Sequence, residues 1–212
     1  SRMNQQPKNP EKQTFSWEQA KEMAQDGQEI TSHGYGHKNV SKLTQDELRY
    51  EVQHNDTLIY QHTGIFPRTY FYPGNRKSDE AVAYCSKDRV GTRTYQVSLG
   101  SKRTQEWFED YLQGVIDKGE WAVTMTHGIR MGYDSFGDET RLWKMFDYAL
   151  NQALNGKLWI ATFHDVAAYL QERDNTTLKI KARKNQIMVT PKMKLNKNIF
   201  QVPLTLILDF QP

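Results

Sequence analysis

From Ser16 to Glu172 the chain alternates short apolar or aromatic runs with capped amphipathic segments, and this alternation restricts the fold more than any other feature. A capping box of Ser16 and Gln19 opens a helix predicted over 16–26, with Trp17, Ala20, Met23 and Ala24 at helical spacing. Gln28 to Ser32 follows as a short strand. Thr44 with Glu47 opens the next helix, Leu43 and Leu48 take the positions of a hydrophobic staple, and Gly64 is its stop. Its stripe is Leu48, Val52 and Ile59, which leaves His54 and His62 outside it as surface residues. The aromatic run after Ile65 reads as a strand halted by Pro73-Gly74, Ser78 caps a helix to about Arg89, and Val90 to Tyr95 is the next strand. Thr104 starts a helix, Trp121 to Thr126 forms a strand, and Asp138 caps a helix that Gly156 ends. Leu158 to Ala161 is read as a strand, and Thr162 with Asp165 begins the last helix. Strands alternating with helices in this way predict a parallel α/β sheet, open or closed into a barrel.

From Thr176 the period changes to two: Leu178, Ile180 and Ala182 alternate with Lys179, Lys181 and Arg183, and Val202, Leu204, Leu206 and Leu208 follow. Between Asn175 and Pro212 there are seven Lys/Arg against one Asp, +6, which leaves −3 for residues 1–174 of a chain whose net charge is +3. The charge step and the change of period together divide the chain into a polar segment 1–15, an α/β domain 16–174 and a basic β-rich appendage 175–212, read as truncated. A basic strand face exposed to water explains the charge, and no nucleic-acid motif accompanies it. The mean hydropathy is −0.80 and no apolar run approaches the roughly 20 residues of a membrane span. Cys85 is the single cysteine, so no internal disulfide forms, and its place in an apolar helical run makes it a core residue rather than a nucleophile.

The chemistry is read into the stretch Glu29-Ile-Thr-Ser-His-Gly-Tyr-Gly-His37, which sets His33 and His37 four residues apart. Imidazole is the commonest neutral metal ligand, so the pair suggests two ligands of a divalent cation; taken alone, surface or core histidines are the reading to prefer. Gly34 and Gly36 oppose a continuous helix, so a strand end followed by a turn is expected to bring both rings to one pocket. Pro73-Gly74 and His127-Gly128 also follow predicted strands, and in parallel α/β folds binding and catalytic groups collect at carboxyl strand ends.

Three ordered landmarks, Ser32-His33-Gly-Tyr-Gly-His37, Tyr70-Phe-Tyr-Pro-Gly-Asn75 and Met125-Thr-His127-Gly, resemble the polysaccharide deacetylases, the fourth carbohydrate esterase family, over roughly residues 16–172. The resemblance implies a distorted (β/α) barrel, here incomplete at its N-terminus, and removal of acetyl groups from a glycan with a divalent metal, commonly zinc. It implies that His33 and His37 are metal ligands and that His127 is the general acid for the leaving group. It further implies that the Gly74 backbone N–H meets the oxyanion and that Tyr72 borders the substrate groove. An acetylated glycan is then the substrate and an extracytoplasmic place of action is expected, periplasmic or secreted.

The family opens with a strand ending in Thr-Phe-Asp-Asp, which supplies the base and a third ligand, and nothing before His33 matches it; Asp26 is the one upstream Asp. Thr162-Phe-His-Asp165 is a helix start by its capping pattern, and Phe71 stands where the family carries an Arg. Two readings remain. In one the chain is part of a longer enzyme whose missing N-terminal segment, or a partner chain, completes the site, so that these residues alone bind zinc weakly and turn over negligibly. In the other it is a non-catalytic carbohydrate-binding or scaffold module, stacking sugars on Tyr70, Tyr72 and Tyr133, with Trp159 expected in the core.

Overall fold

A computed structural model describes residues 15–209 apart from positions 101 and 185. The polar segment expected over 1–15 therefore lies outside the described residues but for Phe15. The described residues up to Thr94 together with those from Thr162 onward form one compact unit, and Tyr95–Ala161 forms a second.

In the first unit, α1 (Trp17–Gln25) starts with the expected reciprocal capping box, the Ser16 hydroxyl accepting from the Gln19 N–H while the Gln19 side chain accepts from the Ser16 N–H. Thr44 and Glu47 cap α2 (Gln45–Arg49) in the same way. The helix expected to run from there to Gly64 is interrupted: Tyr50–His54 winds as a π turn before α3 (Asn55–Thr63), which Gly64 ends in a left-handed conformation at φ 77°. The strands β1 (Thr69–Phe71) and β2 (Gly91–Arg93) pair in parallel, Tyr70 opposite Thr92. Between them runs α4 (Asp79–Cys85), capped by Ser78. The core beneath is Val40, Leu48, Val52, Tyr70, Ala81 and Cys85, with Leu43 packed against it as the staple requires.

The helix α7 (Phe163–Asp174) starts at Thr162, whose hydroxyl accepts the Asp165 N–H, so Thr162-Phe-His-Asp165 is a helix start as its pattern predicts. Ala167 and Ala168 pack with Val90 and Phe200. β5 (Thr176–Arg183) and β6 (Gln186–Met193) form an antiparallel hairpin with Lys179, Lys181 and Arg183 on one face and Leu178, Ile180 and Ala182 on the other. In the second unit β3 (Val97–Ser98) and β4 (Thr124–Met125) pair in parallel. There α5 (Gln105–Lys118) and α6 (Thr140–Leu154) enclose a core of Leu99, Phe108, Leu112, Phe136, Leu142 and Met145.

The α/β class is thus as the alternation predicts, with parallel pairs joined through helices, while the described strands form three separate two-stranded ladders. Several expected strands are shorter or absent. Residues 28–32 contribute a single parallel bridge, Ser32 to Tyr70, and 158–161 and 202–208 do not form strands among the described residues. An apolar run becomes a strand only where a neighbour accepts its ladder bonds, and that neighbour is not encoded locally. Asp138 stands one residue before the cap of α6, accepting the Thr140 N–H at 2.7 Å, and Trp159, expected in the core, is 54% exposed. Among the described residues no helix is long and apolar enough to cross a membrane.

Cys85 is fully buried, and burial pushes its thiol up to about 12. At pH 8 almost no thiolate then exists in the folded chain, and the thiolate is the reactive form. An aromatic disulfide reagent is expected to titrate no thiol in the native chain and one thiol after addition of denaturant; rapid native labelling would contradict this.

Candidate functional site

The His33/His37 corner is built by three neighbouring pieces of the first unit. The Ser32–Tyr70 bridge, with the Phe71 N–H donating to Ser32 O at 2.9 Å, fixes where the chain leaves the sheet. His33 follows at once, half-buried, its Nδ1 2.7 Å from Phe71 O. A carbonyl oxygen has no proton to give, so Nδ1 is the donor, and the neutral ring carries its lone pair on Nε2. This is the arrangement in which an outer partner orients a metal-ligating imidazole. The loop then turns through Gly34 at φ 81°, and His37 itself is left-handed at φ 56°. The two rings meet edge to face with centroids 4.9 Å apart and line one cleft of about 390 Å³ with Trp17, Ile30, Asn55 and Ile59.

The loop is held from behind by Glu51, a residue the sequence reading passed over. Its side chain is buried, 1% exposed, and accepts the backbone N–H groups of Gly36 at 2.8 Å and Lys38 at 3.0 Å. The signal for it was present: Glu51 stands three residues after Leu48 and next to Val52, a charge inside the apolar stripe. Asn55, one turn further, donates to Ser32 Oγ at 3.0 Å and ties the same helix to the strand end. His54 and His62 are both stacked, His54 on Tyr50 and His62 on Trp17 at 4.3 Å; His62 is exposed and His54 half-buried.

The Tyr-Pro-Gly landmark follows β1 directly. Gly74 is left-handed at φ 61° in the turn Pro73–Asn75, where a Cβ would come no closer than 3.9 Å to the Arg76 side chain. Tyr72, expected to border a groove, lies in the core at 1% exposure with its hydroxyl donating to Thr92 Oγ1 at 3.0 Å. Its bulk is needed to fill the space under β1, so it is placed as a packing residue. Tyr70 is likewise buried, which removes both rings from any sugar-stacking surface. His127 belongs to the second unit, exposed on the loop after β4, with its ring 5.1 Å from that of Tyr133, which is 80% exposed.

As a donor set, His33 and His37 fit a divalent cation: two imidazoles on one cleft, one of them oriented by a carbonyl. Among the described residues no group of three or more His, Cys, Asp or Glu side chains surrounds them. They account for two of the four positions of a tetrahedral centre, and Glu51 is committed to backbone amides.

Residues 3–90, which contain this corner and the Tyr-Pro-Gly turn, match the family model described as polysaccharide deacetylase. A curated relative, the uncharacterized protein YlxY of Bacillus subtilis (strain 168), is 28% identical over 78 residues, which are 37% of this chain and 24% of that protein. The chain thus spans about a quarter of that relative. Among solved structures, a CE4 family pseudoenzyme from Bacillus anthracis aligns with a TM-score of 0.54 at 19% identity, covering 71% of this chain and 50% of that one. A mutant of it with restored enzymatic activity aligns equally well, at 0.54 and 19%, covering 71% and 52%. A peptidoglycan N-acetylglucosamine deacetylase aligns at 0.53 and 16%, covering 68% and 64%. At such identities the likeness is one of fold, and it agrees with the family match in sequence. The likeness to the polysaccharide deacetylases thus rests on a sequence match over residues 3–90, less than half of the chain, with a likeness of fold beside it.

Proposed function

We propose that the protein carrying this chain is a metal-dependent hydrolase that removes acetyl groups from a polysaccharide or oligosaccharide, on a distorted (β/α) barrel of the polysaccharide deacetylase type. The observation that carries the reading is the His33/His37 corner, with His33 Nδ1 held by Phe71 O. The cation, zinc by preference for two imidazoles, would be held by His33 and His37 together with donors beyond the described groups. Bound there, it supplies Lewis-acid polarisation of the acetyl carbonyl and of the attacking water. His33 and His37 bind it as neutral rings. The Gly74 N–H is proposed to donate to the oxyanion, and His127 to protonate the leaving amine or alkoxide, a role it takes from the resemblance alone. An extracytoplasmic place of action is part of the proposal, because acetylated structural glycans lie outside the cytoplasm.

A second reading, a carbohydrate-binding module without turnover, is favoured by one observation: the absence of a third metal donor beside the pair among the described residues. Acetate release separates the two. The full-length protein is expected to release acetate from an N-acetylglucosamine polymer or an O-acetylated glycan when zinc is supplied. A strong chelator should stop the release, and added Zn²⁺ should restore it. Binding of those glycans without acetate release, with zinc bound, would sink the enzyme reading in favour of the module.

A further inference from the structure

We propose that Glu51 is the positioning residue of the His33/His37 corner, the group that holds the loop 33–38 in the shape that brings the two imidazoles together. Three amides of that loop end on this one residue. The Tyr35 N–H donates to the Glu51 backbone O at 2.9 Å, and the Gly36 and Lys38 N–H groups both donate to its carboxylate oxygen Oε1 at 2.8 and 3.0 Å. Glu51 lies in the π turn Tyr50–His54, a local departure from the α-helical i to i−4 ladder. The Gly36 and Lys38 bonds make a concave nest of N–H groups around a buried carboxylate, which no cation pairs among the described residues.

The glycines of His-Gly-Tyr-Gly-His are explained by the same contact. A Cβ on Gly34 would stand 2.8 Å from Glu51 Oε1, and one on Gly36 would stand 3.2 Å from Oε2. Each would push the carboxylate out of the nest. His37, left-handed at φ 56°, lies between the two amides that Oε1 holds. A non-glycine residue keeps that conformation only where its surroundings impose it, and the paired bonds on either side impose it here. Without the carboxylate, His37 relaxes to negative φ and its ring leaves His33.

The test uses the full chain with Glu51→Ala, Glu51→Gln and a control, Val52→Ala, which weakens the core without touching the loop. The first readout needs no metal: amide hydrogen exchange of Gly36 and Lys38 relative to that of Phe71, whose N–H donates to Ser32 O. Glu51→Ala is expected to raise this ratio by about 10- to 100-fold, the range for losing hydrogen bonds to a charged group. Glu51→Gln, which keeps one acceptor oxygen, should recover part of it, and Val52→Ala should leave it unchanged. The second readout is Zn²⁺ affinity by chelator competition, expected to fall about 10- to 100-fold in Glu51→Ala and not in Val52→Ala; this arm rests on the metal reading. An unchanged exchange ratio in Glu51→Ala overturns the proposal. A raised ratio with parental Zn²⁺ affinity overturns its role toward the corner. If the parent chain takes up no Zn²⁺, the metal reading falls and the exchange ratio alone decides the case for Glu51.

Discussion

Asp56→Ala is expected to cost about 3–5 kcal/mol of folding stability, the largest effect foreseen for a single substitution in this chain. Asp56 Oδ2 and Arg89 Nη2 form an ion pair whose side chains are 5% and 4% exposed. Arg89 also donates through Nε to Thr69 O at 3.3 Å, at the first residue of β1. Removing the carboxylate leaves a guanidinium in a place without water, and the penalty is that of an uncompensated buried charge rather than the worth of one hydrogen bond. The double variant Asp56→Leu/Arg89→Met should recover most of the loss, because neither charge is then buried. Urea unfolding of the parent, Asp56→Leu, Arg89→Met and the double variant closes the cycle. A single-variant loss below about 1 kcal/mol would show that water reaches the pair.

The pair also sets a pH dependence. Burial raises the Asp56 carboxyl above the usual carboxylate range, against the opposing pull of Arg89. The folded state therefore binds this proton more tightly than the unfolded one. The contribution is stabilising below the unfolded value, near 4, and is lost as pH rises through the folded value. Asp56→Asn should remove that component from the stability profile.

The second large effect is on the metal corner. His33→Ala or His37→Ala in the full-length protein is expected to lower zinc content from one equivalent toward none and acetate release by more than about 100-fold, beyond the 10- to 100-fold typical of an outer-shell partner. Loss of one of two imidazoles leaves too few neutral donors to compete with water and chelator. The effect should be specific. His54→Ala, a ring stacked on Tyr50 in the neighbouring turn, should leave zinc and acetate release within about twofold of the parent. Full zinc content and full acetate release in the double His33→Ala/His37→Ala protein would defeat the placement of the metal at this corner.

Much of the local structure was legible in the chain because its causes are local. Ser16 with Gln19, Thr44 with Glu47 and the stop at Gly64 each act within one or two turns, and each is found where the residues place it. The spacing of His33 and His37, the glycines between them and the strand end before them were enough to expect two rings on one cleft. The Trp159 side chain and the runs at 158–161 and 202–208 were misjudged for one reason: exposure and strand pairing depend on what the rest of the chain presents to them.

What the sequence by itself determined is the α/β alternation, the helix boundaries set by caps, the buried Cys85 and the His-Gly-Tyr-Gly-His corner as a unit. Only the tertiary structure decided that Tyr72 is a core residue, that Asp56 and Arg89 meet across 33 positions, and that Glu51 closes the loop 15 positions before it in the chain. These are long-range choices between partners of similar local propensity. A carboxylate in a helical stripe reads as a misplaced surface charge until the amides that surround it are seen, and the same physics that makes burying it costly makes its partners specific.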